Sequence, residues 1–340
     1  MQRTSHAHMM PQLAKSSNAN LGSRFEWMRT GDQALNAMLD AIDAAQHSIR
    51  LEMYIFHRSP IGEEFLRALV SACHRGVKVR VMIDALGSIY LPESFWDALK
   101  EFGGEFRWFN PLNLSRFGFR DHRKILVCDE NVAFIGGFNI ATEYLGDGVT
   151  KGWRDVGLKV CGPLAVDLAE AFDQMFAIAD FKQKPFSRLR ISTHQKMVQT
   201  EACELLLSAP GRQRNPIKKA ILSDLKNAKR VQIICAYFLP TWNLRRELVG
   251  VSQRGGRVQL ILPGKSDVPL SQAASRSLYR RLMRAGIEIY EYEPQILHSK
   301  LIVVDDIVYA GSANLDMRSL HLNYELLVRV QDRSEEHTSE

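Results

Sequence analysis

Long hydrophobic runs are missing from this sequence. No stretch reaches the roughly 18 consecutive apolar residues that a membrane-spanning helix needs, and the longest candidates, such as 231–239, have the length of a strand. Residues 1–23 are polar and lack the apolar core of a secretory signal. If the protein acts on a membrane, we expect it to do so from the membrane surface.

Cysteine is sparse and follows no pattern. The five cysteines show no metal-type spacing, and no histidines and carboxylates cluster at ligand spacing, so we expect neither a metal nor a cofactor. An odd number of unpatterned cysteines indicates a reducing compartment. Apolar neighbours predict buried, inert thiols at Cys128, Cys161 and Cys235.

Composition and length indicate an ordinary folded protein with more than one core. Hydrophobic residues make up 46% and charged residues 24% of the chain, which excludes extensive disorder. The 340 residues are enough for two domains of about 150 residues each. A net charge of +6 is compatible with an anionic partner but does not require one.

What the sequence does contain is a short motif that occurs twice. The first copy consists of His122-x-Lys124, Asp129 and Gly136-Gly137-x-Asn139, and the second of His298-x-Lys300, Asp305 and Gly311-Ser312-x-Asn314. The copies lie about half a chain length apart, which indicates an internal duplication. Two such His-Lys pairs, brought face to face, would form a phosphate site in which one histidine attacks phosphorus and the other handles protons.

The two halves also share a pattern of secondary structure. Strand–helix–strand segments are predicted over 48–83 and again over 230–262, and this order is typical of a parallel sheet with helical cover. We expect two similar α/β domains, each a mostly parallel mixed β-sheet flanked by helices, related by a pseudo-two-fold axis with the site between them.

Composition shifts predict the domain boundaries. Residues 1–25 are expected to form a flexible N-terminal segment, 26–190 the first domain and 191–332 the second, with the boundary between Gln183 and Gln199. Residues 333–340 resemble translated sequencing-adapter read-through, so we expect them to be non-native.

Alternation along a strand places each motif's histidine and lysine on the same face. Asp129 and Asp305 are followed by returning apolar runs, which predicts hairpin turns at both aspartates. The second turn is one residue shorter than the first. It either shifts the strand register around Ser312 and Asn314 or absorbs the difference within the turn.

These motifs resemble those of the phospholipase D superfamily over about residues 26–330. Within that superfamily the segments 121–127, 136–144, 153–155 and 311–319 are similar to bacterial cardiolipin synthases of the peripheral type without transmembrane helices. The resemblance implies a two-histidine phosphatidyltransferase that joins two phosphatidylglycerol molecules into cardiolipin through a phosphatidyl-histidine. It also implies attachment to the inner face of the cytoplasmic membrane, in the bacterial cytoplasm.

The resemblance further implies a role for each motif residue. His122 would be the nucleophile and His298 the general acid and base. Asp155 and Glu325 would orient the histidine of the opposite motif. Charge on the phosphate would be neutralised by Lys124, Lys300, Asn139 and Asn314, and the phosphate would be bordered by Gly137 and Ser312. Asp129 and Asp305 would be structural.

Three alternatives remain open at this point. The same chemistry with water as acceptor would make a phospholipase D that releases phosphatidic acid. A nuclease of the same superfamily would need a continuous basic groove, and the modest charge argues against nucleic acid as a partner. A binding module without catalysis would require vestigial motifs. The aromatic segment 108–120, with Arg116 and Arg120, is either an interfacial loop at the mouth of the site or a stretch of ordinary packing. The oligomeric state stays open.

Overall fold

The structure, a computed structural model, describes residues 22–111, 118–179, 203–210 and 215–331. Residues 22–179 form a first half and residues 203–331 a second half. The elements of the first half are β1 (Arg24–Met28), α1 (Gly31–Ala44), β2 (Ser48–Met53), α2 (Pro60–His74), β3 (Lys78–Asp84), α3 (Asp97–Glu101), β4 (Glu105–Phe109), β5 (Arg120–Asp121), β6 (Ile125–Cys128), β7 (Val132–Gly136), β8 (Gly157–Cys161) and α4 (Pro163–Ile178). Those of the second half are β9 (Cys203–Ser208), α5 (Pro216–Leu225), β10 (Arg230–Cys235), α6 (Trp242–Gln253), β11 (Arg257–Pro263), α7 (Pro269–Arg284), β12 (Glu288–Tyr292), β13 (Lys300–Val304), β14 (Ile307–Gly311), α8 (Met317–His321) and β15 (Asn323–Gln331).

Each half is built on one mixed sheet. The strand order is β1-β8-β7-β6-β2-β3-β4 in the first sheet and β12-β11-β10-β13-β14-β15-β5 in the second, with β9 also paired to β15. The two similar α/β halves are confirmed, but the expectation of mostly parallel sheets is wrong. Only β2, β3 and β4 pair in parallel in the first sheet, and the other pairs are antiparallel. The reason is that the hairpin after each His-Lys motif adds antiparallel strands beside the parallel core.

Local signals explain where the helices begin and end. Thr30 caps α1 by accepting a hydrogen bond from Gln33 N at 3.2 Å, and Leu35, Met38, Leu39 and Ile42, spaced at the helical period, are buried. Ser59 caps α2, Pro60 occupies its first turn, and Gly76 follows its end with φ +83°. The sheet already begins at Arg24, and the boundary expected between 183 and 199 lies outside the described residues.

The two hairpins keep the same register despite their different turn lengths. Ile125 pairs with Ile135 in the first hairpin, and Leu301 pairs with Ala310 in the second. The first turn contains three residues and the second only Asp305 and Asp306, so the shorter turn absorbs the missing residue. The residues that follow β7 and β14 therefore reach equivalent places.

The motif aspartates hold these turns. Asp129, at φ +54°, accepts hydrogen bonds from the backbone N–H groups of residues 46, 47 and 48, each at 2.8 Å. Asp305, at φ +49°, accepts equivalent bonds from residues 229 and 230. Left-handed backbone is tolerated best by Gly, Asn and Asp, and here each carboxylate also ties its turn to the start of the neighbouring strand.

The core extends between the halves. Along β6, Leu126 and Cys128 pack under the first half's helices, whereas Ile125 and Val127 pack in a cluster that includes Leu326 of β15. Successive side chains of a strand point to opposite faces, so each buried strand serves two cores at once. In the first sheet α1 and α2 cover one face, and the other face packs against α4 and β15 of the second half, which fixes the position of the motif that flanks these strands.

Candidate active site

Each His-Lys motif lies at or just before the start of a strand. His122 and Lys124 fall between β5 and β6, and Lys300 is the first residue of β13. The expectation that each His-x-Lys lies within a strand is therefore wrong except at Lys300. The physical reason is backbone pairing across the halves: β5 adds to β15 in parallel, and Arg154 forms a bridge with Leu297.

This cross-pairing is reciprocal. The backbone N–H of His122 donates to the carbonyl of Tyr324 at 3.0 Å, and the N–H of His298 donates to the carbonyl of Arg154 at 2.8 Å. In both cases the acceptor immediately precedes a buried carboxylate, Glu325 or Asp155. The same backbone contact therefore holds each histidine against the opposite half, as expected for halves related by a pseudo-two-fold axis.

Each histidine is held by the carboxylate of the opposite half. Nδ1 of His122 lies 3.1 Å from Glu325 Oε2, and Nδ1 of His298 lies 2.6 Å from Asp155 Oδ2. A carboxylate accepts the Nδ1 proton, so the neutral imidazole keeps its lone pair on Nε2. This geometry leaves Nε2 as the reactive atom of both rings.

The two motif lysines are buried beside the histidines. Nζ of Lys124 donates to the carbonyl of His122 at 2.6 Å, and Nζ of Lys300 donates to the carbonyl of His298. Burial lowers the pKa of Lys124 to about 7, with Glu325 opposing the shift and the like charge of Lys300 adding to it. Burial also lowers the pKa of Lys300. A bound anion would restore both charges, because it replaces the lost water with an opposite charge.

We expect anion binding at this site to weaken as the pH rises. Between pH 6 and pH 8.5, Lys124 passes through its pKa of about 7 and loses the charge that attracts the anion. Sulfate keeps its own charge over this range, so its affinity, measured by calorimetry, should fall up to about tenfold per pH unit above 7, with proton uptake on binding.

The matched variant for this experiment is Lys124→Met. It should bind sulfate more weakly at pH 6 and lose most of the pH dependence above pH 7, because the group that titrates there is gone. Wild-type affinity that stays constant from pH 6 to pH 8.5 would contradict the assignment of the low lysine pKa to this site.

Burial favours the neutral form of both histidines in the free protein. Burial lowers the pKa of His122, and the charge of Glu325 opposes this only in part. Burial and the neighbouring Lys300 lower the pKa of His298 to about 4, although Asp155 acts in the opposite direction. Lys300 Nζ lies 2.9 Å from Nδ1 and 3.2 Å from Nε2 of that ring. A neutral ring suits a nucleophile, whereas an acid must first gain a proton.

The motif asparagines differ in their surroundings. Asn139 accepts a hydrogen bond from Ile55 N at 3.0 Å and donates to the Tyr144 hydroxyl at 2.6 Å, which in turn lies 3.4 Å from His298 Nδ1. Asn314 is buried, and its side-chain oxygen has no hydrogen-bond partner among the described residues. Of the two amides, that of Asn139 is thus engaged in holding Tyr144 against His298.

Gly137 and Ser312 occupy equivalent places against the two carboxylates. A Cβ atom added to Gly137 would lie 2.1 Å from Asp155 Oδ1, so the carboxylate occupies the space of a side chain. The hydroxyl of Ser312 donates to Glu325 Oε2 at 2.5 Å and accepts from Leu326 N at 3.0 Å. The structure therefore places both residues behind the histidine–carboxylate pairs.

Four aromatic rings that the motifs did not identify surround the histidines. The Tyr54 ring centroid lies 4.8 Å from that of His122, and the centroids of Tyr144 and Trp153 each lie 5.4 Å from that of His298. Tyr237 lies 6.3 Å from His298. Tyr54 and Tyr237 follow β2 and β10, and this equivalence between halves is the one sequence signal that could have identified them. Aromatic walls limit the access of water to the rings.

The predicted interfacial loop at 108–120 is described only at its ends. Residues 112–117, including Arg116, lie outside the described residues. Arg120 is buried, with its guanidinium 3.6 Å from the Asp84 carboxylate, so the expectation that it faces a membrane is wrong. Trp108 packs against Phe106, with the two ring centroids 5.0 Å apart. Burial raises the pKa of Asp84 to about 7, and this carboxyl also accepts a bond from Asp121 N at 3.0 Å, next to the motif.

Two further features concern residues 22–111, 118–179, 203–210 and 215–331. No group of three or more His, Cys, Asp or Glu side chains there could hold a metal ion. No helix among them is long and apolar enough to cross a membrane.

Comparison with known proteins identifies the family. The family model described as "Cardiolipin synthase, PLD-like domain" matches residues 38–176 and 221–340, so each match contains one His-Lys motif. The chain belongs to this phospholipase D-like family. Among solved structures, the phosphatidylserine synthase of Haemophilus influenzae superimposes with a TM-score of 0.76 at 16% identity, covering 92% of this chain and 83% of that one. At that identity the likeness concerns the fold alone.

Curated members of the family align over most of the chain. The cardiolipin synthase of Geobacillus kaustophilus is 33% identical over 319 residues, which cover 90% of this chain and 62% of the relative. Cardiolipin synthase B of Salmonella typhi is 34% identical over 325 residues, which cover 92% of this chain and 78% of the relative. This phospholipase D-like chain thus spans less than two thirds of the length of the Geobacillus enzyme.

Proposed function

We propose that this chain is a phosphatidyltransferase that joins two phosphatidylglycerol molecules into cardiolipin and releases glycerol. The observation that carries the proposal is the reciprocal pairing of two buried histidines with the carboxylates of opposite halves, beside two buried lysines. The similarity to named cardiolipin synthases supplies the substrate class.

His122 is the nucleophile in this proposal. Its Nδ1–H donates to Glu325, and within the described parts of the chain no hydrogen bond engages its Nε2, whereas Nε2 of His298 lies 3.2 Å from Lys300 Nζ. The free lone pair attacks phosphorus of the first phosphatidylglycerol. The new P–N bond forms as the P–O bond to the glycerol headgroup breaks, giving a phosphatidyl-histidine.

His298 moves the protons in this scheme. It gives its Nε2 proton to the departing glycerol oxygen, and then takes a proton from the headgroup hydroxyl of the second phosphatidylglycerol. That oxygen attacks phosphorus, the P–N bond breaks, and cardiolipin leaves with His122 restored. In the free protein the pKa of His298 is about 4. The charge of the anionic substrate offsets the neighbouring cations, so the proton enters with the substrate.

The remaining motif residues bind the phosphate or support the histidines. Lys124 and Lys300 place positive charge at the non-bridging oxygens as the transition state forms, and Asn314 supplies a buried amide. Asp155 and Glu325 fix the tautomer of the histidines and stabilise their charged forms. Asn139 acts by positioning Tyr144 against His298. No step uses a metal ion.

The setting of the reaction is part of the same proposal. Both substrates are bilayer lipids, so we place the protein at a membrane surface, on the inner face of the bacterial cytoplasmic membrane. The five free cysteines fit that reducing side. We further propose two domains divided near residue 190, as 26–190 and 191–332 predict, with the start of the first moved to Arg24 by β1; each contains one motif, and one family match begins within each.

The proposal is tested by incubating the purified protein with phosphatidylglycerol vesicles and a metal chelator. Lipid mass spectrometry should detect cardiolipin, with glycerol released in equal amount, and no product from a His122→Ala/His298→Ala double variant. Phosphatidic acid alone would show that water is the acceptor. Activity that disappears with chelator and returns with added metal would contradict the metal-free scheme.

A further inference from the structure

The most exposed apolar side chains lie on segments that are hydrogen-bonded to the walls of the active site. Among the described residues the four most exposed large apolar side chains are Tyr90, Leu270, Trp242 and Met317, at 90%, 82%, 59% and 57% exposure. We call these four residues the rim. Single exposed apolar side chains are common on proteins and indicate no function by themselves. What distinguishes these four is their position.

The first half contributes Tyr90. Tyr90 lies in the loop after β3, and in that loop the Ser88 hydroxyl accepts a hydrogen bond from Phe56 N at 2.8 Å and donates to the Tyr54 carbonyl at 3.2 Å. The Tyr54 ring in turn packs on His122. The loop is therefore fastened to the wall of the active site, and Tyr90 extends from it into solvent.

Leu270 occupies the equivalent region of the second half. It lies at the start of α7, three residues after Asp267. The Asp267 carboxylate accepts from the Tyr237 hydroxyl at 2.6 Å, and the Tyr237 ring lies beside His298. The start of α7 is thus tied to the other wall of the site.

Trp242 and Met317 lie on two segments that are joined to each other. Met317 begins α8, three residues after Asn314, and the carbonyl of Leu315 accepts from Leu239 N at 3.1 Å, three residues before Trp242. Both helices therefore start next to the motif residues of the second half. Each rim residue therefore lies within three residues of a residue that is hydrogen-bonded to a wall of the site or, for Met317, of the motif residue Asn314.

Basic side chains accompany the rim. The guanidinium of Arg246, which also contacts Glu247, lies 4.9 Å from the Trp242 ring centroid. Arg318 is exposed next to Met317 in sequence, and Lys265 is exposed five residues before Leu270. Tryptophan prefers the headgroup level of a bilayer, and long basic side chains bury their stems while their charges stay among lipid phosphates.

We infer that the rim inserts into the surface of an anionic phospholipid bilayer, with the opening of the active site facing the lipid. The inference rests on the proposed function in one respect, since a bilayer would hold the substrates. Isolated apolar side chains on one loop of the first half and on three helix starts of the second favour a lipid surface over a protein, which would bury a continuous apolar face.

The test compares two sets of exposed apolar residues in a His122→Ala background, which turns over no lipid. The first variant is Tyr90→Ser/Trp242→Ser/Leu270→Ser, and the control is Met283→Ser. Met283 is 52% exposed and lies at the other end of α7, about 20 Å along the helix from Leu270. Binding to vesicles of equal parts phosphatidylglycerol and phosphatidylcholine is measured by sedimentation.

We expect the triple variant to lose at least tenfold in partition coefficient and Met283→Ser to stay within twofold of its parent. Equal binding by the two variants would overturn the inference. Since a triple variant could also unfold, the single variant Leu270→Ser should show a threefold or larger loss with an unchanged melting temperature, and no loss there would equally count against the rim.

A second measurement identifies the inserted side chain directly. Brominated phosphatidylglycerol should quench part of the tryptophan fluorescence of the parent protein and less of that of Trp242→Phe. Equal quenching of the two proteins would contradict insertion of Trp242. These measurements involve no catalysis, so a failure to detect cardiolipin synthesis would not contradict membrane insertion of the rim. Unchanged binding of the variants would contradict membrane insertion without affecting the proposed reaction.

Discussion

The His298→Ala variant should release one equivalent of p-nitrophenol per protein molecule from phosphatidyl-p-nitrophenol and then stop, whereas His122→Ala should release none. Nitrophenolate is a weak base and leaves without a proton, so the first step needs only the nucleophile. The second step needs a base to activate the acceptor hydroxyl, and His298→Ala lacks that base. Stopped-flow absorbance measures the burst.

With phosphatidylglycerol as substrate, both variants should lose on the order of 10³-fold or more in turnover, because glycerol is a poor leaving group and needs the acid. The contrast between the two substrates therefore separates the roles of the histidines. A burst from His122→Ala and none from His298→Ala would reverse the assignment, and multiple turnovers by either variant would exclude the two-histidine scheme.

Gly137→Ala is expected to lower turnover about 100-fold or more without unfolding the protein. The added Cβ would lie 2.1 and 2.4 Å from the two oxygens of the Asp155 carboxylate, so that carboxylate must move. This movement breaks the 2.6 Å contact between Asp155 and His298. The His298 ring then lacks the partner that fixes its tautomer and its orientation. Steady-state kinetics and a thermal melt measure the two effects.

The matched control is Ser312→Ala at the equivalent place of the other half. It removes the hydroxyl that donates to Glu325 Oε2 but adds no atom near that carboxylate, which keeps its contact with His122. We expect a loss of less than tenfold. Wild-type turnover by Gly137→Ala would show that catalysis does not require the absence of a side chain beside Asp155.

The sequence predicts the parts of this protein that repeat over short distances. Alternating apolar runs around Asp129 and Asp305 predicted both hairpins, and the structure shows the aspartates holding the turns. The strand–helix–strand order predicted over 48–83 is confirmed by β2, α2 and β3. These features are local, so the residues that cause them lie within a few positions of one another.

The features that the sequence could not predict depend on contacts between the halves. The cross-pairing of His122 with Tyr324 and of His298 with Arg154 joins residues far apart in the chain, and it removes the histidines from the strands in which the alternation placed them. Tyr54 and Tyr237 contact the histidines only because of this docking. The resemblance to phospholipase D proteins suggested the histidine–carboxylate partners, but distances and burial required coordinates.

In the proposed mechanism His122 forms the covalent phosphatidyl intermediate within a site shared by both halves. The most direct measurement is to stall the His298→Ala variant on phosphatidyl-p-nitrophenol, digest it under alkaline conditions and locate the added phosphatidyl mass by peptide mass spectrometry. We predict the modification on the peptide that contains His122, and its absence when His122 is also replaced. A modification on another residue, or none in a protein that has released its equivalent of p-nitrophenol, would contradict it.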